Sequence, residues 1–419
     1  MKDILEFINK SPNAFAATNN ISEILKENDY LELKEDEVFK LEKGKKYFVR
    51  RNDSSVIAFN IGKKLDNPSL QICASHTDCP SFKLKPEALL YENGYLKLNT
   101  EIYGGPIYYP WLDRPLSIAG RLIVSDEDGL ESIIYDENKP FCIIPSVAIH
   151  MNREVNKALE LKVNVDLLPI VSLDKFDLIE YLSKKVNKKV IAYDLYLYPF
   201  EKGYIWGINV EFISSYHIDN LECAYTSLKA FINNFNDENI NVYACFDNEE
   251  VGSLTRQGAD SNFFESILKR IFKELDLDYY MMLSRGICLS CDNGHGLHPN
   301  HPELADKNNR PLLNKGIVIK YNANQSYTTD ALSLAILKDL FDNNGIAYQY
   351  YTNRSDLKGG STLGNISNAH VSIKTIDIGL AQLAMHSPLE TAGSKDIKTM
   401  IDGLTLFYKA HLRNNKLEI

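Results

Sequence analysis

The chain has 419 residues, 44% of them hydrophobic and 24% charged, enough to bury a large core and to form two domains rather than one. Its formal net charge of −10 lacks the basic field of a nucleic-acid or anionic-membrane surface, so neither is an expected partner. No apolar run reaches the roughly 18–20 residues of a transmembrane helix and the start, Met1-Lys-Asp-Ile-Leu-Glu6, lacks the regions of a secretion signal; a cytoplasmic location is expected.

In chain order, an amphipathic helical start (Ile4, Leu5, Ile8) gives way to strand-like runs at 56–61 and 70–74. From about Pro86 to Tyr204, short strands are broken by turn residues such as Gly104-Gly105-Pro106 and Asn138-Lys-Pro140, with one helix predicted over 176–186; this is the texture of a β-rich module. Beyond Trp206 the rhythm turns to alternating helix and strand. Leu221, Ala224, Leu228, Phe231 and Phe235 repeat at helical spacing before a strand at 242–246, and Phe264, Ile267, Leu268, Ile271 and Leu275 mark the next helix. A helix over 330–341 should stop at Asn343-Asn-Gly345, ahead of a strand at 346–351. The pattern predicts an α/β fold with a central mixed sheet flanked by helices, in segments 1–86 and 205–419, interrupted by an inserted β-rich domain at 87–204.

The seven cysteines are an odd set in mostly apolar stretches and fit small buried hydrophobes in a reducing compartment. Cys288-Leu-Ser-Cys291 has no second pair at zinc-ribbon spacing.

The chemistry concentrates where apolar runs end. Asn241-Val-Tyr-Ala-Cys-Phe-Asp-Asn-Glu-Glu-Val-Gly-Ser253 carries a strand into the carboxylates Asp247, Glu249 and Glu250, which repel one another unless a cation sits among them. A solvated acidic turn is the competing reading. His76 and Asp78 follow another strand, and Asp292 ends a third; Asp219, before a helix, suits an N-cap as well as a bridge between cations. His386 lies between apolar residues and a proline. Taken together, His76, Asp219, a glutamate of the Glu249–Glu250 pair, Asp292 and His386 suit two Zn²⁺ sharing one carboxylate, with Mn²⁺ or Co²⁺ as substitutes.

Ser75-His-Thr-Asp-Cys-Pro80, Tyr103-Gly-Gly-Pro-Ile107 with Trp111-Leu-Asp-Arg114, Phe246-Asp-Asn-Glu-Glu-Val-Gly-Ser253, His298-Pro-Asn300 and Gln382-Leu-Ala-Met-His386 closely resemble, in order, the aspartyl aminopeptidase and aminopeptidase I family of zinc exopeptidases. The resemblance implies a metallo-aminopeptidase that removes the N-terminal residue of short peptides. It implies that His76, Asp219 and Asp292 hold one zinc and Asp219, Glu250 and His386 the other, with Glu249 as general base and Asp78 orienting His76. It further implies Lys320 pairing with an acidic first residue, His298 lining the pocket, His150 reaching a neighbouring subunit, and dimers, formed through the insertion, that assemble into a dodecamer. Pro106, where a glycine is usual, and the string Leu357-Lys-Gly-Gly-Ser-Thr-Leu-Gly364 depart from the family pattern and leave side-chain preference open, so a preference for neutral residues such as Leu is the alternative. A di-metal phosphoesterase or a non-catalytic assembly protein would be other classes. The chain has no phosphate-cradling loop, and no ligand is lost.

Overall fold

Side chains alternate along the central strands and feed two separate cores, which fixes the order of the layers. The computed structural model describes every residue except Met1, Asp128, Asn233, Phe235 and Lys358, so Phe235 of the predicted helix and Lys358 of the 357–364 string lie outside the described residues. Val56, Ala58, Cys73, Tyr243 and Cys245 enter one apolar cluster, packed with helices Lys2–Asn9, Ala14–Glu27, Ile218–Ile232, Ala331–Asn344 and Asp396–Lys409. Ile57, Phe59, Ile72, Val242 and Ala244 enter the other, with helices Phe263–Glu274 and Tyr279–Ser284. Successive strand residues face opposite sides, so a sheet covered on both faces reads as a continuous apolar run rather than an alternating one.

The large sheet has nine strands in the order Leu31–Leu33, Lys46–Arg51, Ser55–Ile61, Asn239–Phe246, Ser69–His76, Gly286–Cys291, Lys374–Gly379, Ile317–Tyr321 and Tyr348–Thr352. From Asn239–Phe246 to Lys374–Gly379 the neighbours run parallel, and antiparallel pairs flank them on both sides. This is the mixed α/β sheet expected from the sequence. Its parallel strands open their carboxyl ends on one rim, where ligands gather in open α/β sheets.

The stretch from Ser81 to Pro199 builds a six-stranded antiparallel sheet of its own. Trp111 anchors its core, meeting Phe82 and Tyr216 edge-on at 5.0 and 6.0 Å. The first strand, Ser81–Glu92, begins ahead of the change of texture at Pro86 and runs through it. Pro86 falls in the register break between Leu84 and Leu89, where the ladder does not need its missing N–H. A five-stranded sheet, ordered Tyr204–Trp206, Phe212–Ser215, Glu390–Gly393, Ala381–Leu383 and Gly294–His295, brings the segment after Asp292 beside that leading to His386.

Helix ends follow the chemistry of the residues there. Asp330 caps Ala331–Asn344 through a reciprocal box with Ser333, and Gly345 ends it at φ +67°. The helix over 178–186, expected from 176, is capped by Asp177. All seven cysteines are unpaired and buried. Among the described residues no helix is long and apolar enough to cross a membrane.

Candidate metal centre

His76 ends its strand, Asp292 follows the adjacent strand, and Glu249 and Glu250 form a short turn just past the strand that ends at Phe246. The sheet register sets Phe246 opposite His76, so residues distant in sequence share one rim. Asp219 reaches them from the start of the helix Ile218–Ile232, where helical geometry is interrupted at Asp219 and Asn220. The Asp219–Asn220 peptide is cis. His386, at φ +68°, closes the site from the loop between two strands of the five-stranded sheet.

His76 Nε2 lies 3.5 Å from Asp219 Oδ1 and 3.7 Å from Asp292 Oδ1. His386 Nε2 lies 3.4 Å from Glu250 Oε2 and 4.0 Å from Asp219 Oδ2. His76, Asp219 and Asp292 thus form one group able to hold a metal and Asp219, Glu250 and His386 a second, with ligand atoms within 4.8 Å of one another; His76, Glu249 and Glu250 form a third such group. Asp219, on which the sequence left an N-cap open, turns its carboxylate into this cluster. Its Oδ1 is buried with no hydrogen-bond partner among the described residues, the orphaned acceptor that a cation would satisfy. Imidazole nitrogens and carboxylate oxygens are donors suited to zinc.

Asp78 supports the cluster from beneath. Its Oδ1 accepts the Glu249 N–H at 3.1 Å, and its Oδ2 accepts the Glu250 N–H at 3.1 Å and the Tyr103 hydroxyl at 2.7 Å. His76 Nδ1 sits 3.3 Å from Asp78 Oδ1 and 3.1 Å from the Asp78 carbonyl oxygen. Tyr103 was legible only as part of a motif. Gly104 follows it at φ +68°, and a Cβ there would lie 3.1 Å from the Glu250 Cβ; only glycine combines that backbone with that approach. Next, the Gly105 carbonyl accepts from His386 Nδ1 at 3.1 Å, and Ile107 N–H donates to the His386 carbonyl at 3.0 Å. The loop carrying Pro106 therefore braces His386. Asp247, the remaining carboxylate of its string, belongs to none of the three groups and faces Tyr103 and Tyr196.

Charge crowding shows in the acidities of the metal-free chain. Burial, with Asp292, Asp78 and Asp219 adding to it against the opposing His76 charge, lifts Glu249 to about 8. Burial and the charges of Asp219 and Glu249 push Glu250 well above the carboxylate range. Burial also acts on Asp292, but Lys320 and His76 outweigh it and bring Asp292 down to about 2.

A cavity of about 470 Å³ opens on the cluster, lined among others by Glu249, Lys320, Tyr327, Ser361 and Met385. Lys320 Nζ donates to the Asn293 carbonyl at 2.7 Å, lies 3.4 Å from Asp292 Oδ2 and sits over the Tyr327 ring. Burial opposes its charge, yet Asp292, joined by Tyr327, Asp377 and Cys223, more than offsets it and keeps the ammonium protonated. His298 is exposed and lines an adjoining cavity of about 380 Å³ that shares His295 and Gly360 with the first. His150 is exposed in the stretch between the strands Gly129–Asp136 and Ile170–Ser172 and belongs to none of the three metal-holding groups. Sequence reasoning missed Glu390, whose two oxygens accept from the backbones of Asp219 and His386.

Residues 7–408 match the family model described as Aminopeptidase I zinc metalloprotease (M18). The chain is 44% identical over 410 residues to the "Probable M18 family aminopeptidase 2" of Clostridium novyi (strain NT), covering 94% of this chain and 95% of the relative. Among solved structures it is similar to yeast aminopeptidase 1, with a TM-score of 0.87 at 28% identity over 97% of this chain and 96% of that one. It is also similar to the S. cerevisiae mApe1 dodecamer, with a TM-score of 0.86 at 28% identity over the same shares, 97% and 96%.

Proposed function

Given that this chain belongs to the M18 family of aminopeptidase I zinc metalloproteases, we propose that it is a two-zinc aminopeptidase that releases the N-terminal residue of short peptides. His76, Asp219 and Asp292 would hold one ion, and Asp219, Glu250 and His386 the other. The observation that carries this reading is the pair of groups sharing a buried Asp219, whose Oδ1 has no hydrogen-bond partner among the described residues. Zinc, when bound, supplies Lewis acidity to the scissile carbonyl and to the attacking water. Glu249 takes the proton of that water and passes it to the leaving amine; its place in the cavity wall, with its N–H anchored on Asp78, supports this role. Asp78 fixes the His76 ring and the turn that carries both glutamates.

The first residue of the substrate would occupy the cavity beside Lys320, whose buried ammonium favours Asp or Glu there. A second reading, preference for neutral residues such as Leu, is favoured by the Lys320–Asp292 pair at 3.4 Å, which already occupies part of that charge. Lys320→Ala should slow acidic substrates selectively; equal slowing of Asp and Leu peptides would reject the acidic preference. His298 would line the outer part of the pocket.

We also assign the enzyme to the cytoplasm, where a reducing medium suits its buried thiols. Dimers would form through the six-stranded layer and build a dodecamer, with His150 reaching a neighbour's site. Exposed Val147, Ile149 and Met151 around His150 and the dodecameric mApe1 relative support that assembly. The deciding experiment incubates zinc-loaded protein with peptides differing only in their first residue, with and without chelator, and follows release by mass spectrometry. Chelator-sensitive loss of single N-terminal residues is expected. No release with zinc, manganese or cobalt would reject the peptidase reading.

A further inference from the structure

Glu390 begins a short strand of the five-stranded sheet and is 2% exposed, so its carboxyl group needs internal partners. Those partners are the irregular backbones of two proposed zinc ligands. Glu390 Oε2 accepts the Asp219 N–H at 2.9 Å, and Oε1 accepts the His386 N–H at 2.7 Å. Asp219 sits where helical geometry is broken, and His386 has φ +68°. Neither N–H has a place in a regular helix or sheet ladder, and a buried N–H left without an acceptor is costly. A side-chain relay extends the contact. Gln382 Nε2 approaches Glu390 Oε1 at 3.4 Å, while Gln382 Oε1 accepts from Asn293 Nδ2 at 2.9 Å, and Asn293 follows Asp292 directly.

We propose that Glu390 is a positioning residue for the metal centre, a clamp whose two oxygens fix the spacing between the shared ligand Asp219 and the terminal ligand His386. This inference rests on the two-zinc reading. Glu390 touches neither substrate nor the reacting atoms; it acts by holding ligand backbones in place. Because the Asp219–Glu250–His386 group depends on both hydrogen bonds and the His76–Asp219–Asp292 group on one, the two ions should respond unequally to loss of the clamp.

Glu390→Gln preserves size but replaces one acceptor oxygen with an NH2 group, so one ligand N–H loses its acceptor and faces a donor. Cobalt titrations followed by visible absorption, on the full chain freed of metal and reconstituted with cobalt alone, would read the effect. The expected result is that one of two cobalt ions binds about 10–100-fold more weakly in Glu390→Gln, with an altered ligand-field spectrum and an unchanged circular dichroism spectrum of the metal-free protein. Two ions bound with wild-type affinity and spectrum would overturn the proposal, as would a lower metal-free thermal midpoint with cobalt binding unaltered. Should Glu390→Gln not fold, Glu390→Asp, one methylene too short to reach both N–H groups, is read by the same criteria. Wild-type protein that binds fewer than two cobalt ions would overturn the two-zinc reading itself, and this proposal with it.

Discussion

Glu249 and Glu250 are adjacent and chemically alike, yet the fold gives them different neighbours. Glu250 Oε2 lies against His386, whereas Glu249 is grouped with neither Asp219 nor His386. Glu249→Gln should therefore lower turnover by about 10²–10⁴-fold, the usual worth of a general base, while elemental analysis finds the same zinc content. Residual wild-type turnover would reject Glu249 as the base. Glu222 makes a separate case. Burial, reinforced by Asp396 and Asp219 against the hydrogen bond from Asn293, raises it to about 8 from the ordinary 4.5. A carboxyl group whose folded value lies above its unfolded value keeps its stabilising contribution below about 4.5, and that contribution is lost as pH rises toward 8. In chelated protein the thermal midpoint should fall between pH 5 and 8 more steeply for wild type than for Glu222→Gln. Parallel curves would show that Glu222 is not responsible.

At the scale of elements, strand and helix ends place the chemistry. The helix Ala331–Asn344 follows Lys320's strand, and Asp330 accepts the Ser333 N–H at 2.7 Å while Ser333 Oγ accepts the Asp330 N–H at 3.0 Å. Asp330→Ala removes half of that box and should cost about 1 kcal/mol in denaturant unfolding, with zinc content unchanged because the cap touches no proposed ligand. The loop Tyr103 to Ile107 shows an element acting across layers. It leaves the six-stranded sheet, braces Asp78 and His386 and passes close to Glu250 at Gly104, so the inserted layer completes the rim of the larger sheet.

For the whole molecule, the cluster packs acidic side chains into a buried rim, and bound cations would relieve their repulsion. Ions that bind the folded chain alone stabilise it by about 2.7 kcal/mol at a free concentration one hundred times the dissociation constant. Chelation should therefore lower the thermal midpoint measurably in scanning calorimetry, and zinc should restore it. An unchanged midpoint would mean that the carboxylates do not depend on metal in the folded state. The proposed assembly is open to light scattering, where a dodecamer is expected and a stable monomer would reject it.

The sequence alone determined the α/β class, the β-rich interruption and most strand ends, because doubly covered strands must be apolar throughout and the polar residues that stop them are conspicuous. His76, Asp292 and the Glu249–Glu250 pair were legible on that ground. Asp219 was ambiguous, since an Asp at a helix start is usually a cap, and only the fold brings its carboxylate beside both histidines, which supports the bridging proposal. The helix Ala14–Glu27 went unread, and Pro86 marked a change of texture but not the start of a layer, because a register break absorbs it. Glu390 and the bracing role of Tyr103 belonged to tertiary structure alone. Glu390 lies four residues from His386 but 171 from Asp219, and Tyr103 lies 25 from Asp78; hydrogen bonds across the longer separations leave no periodicity in a sequence, and the sheet register creates them.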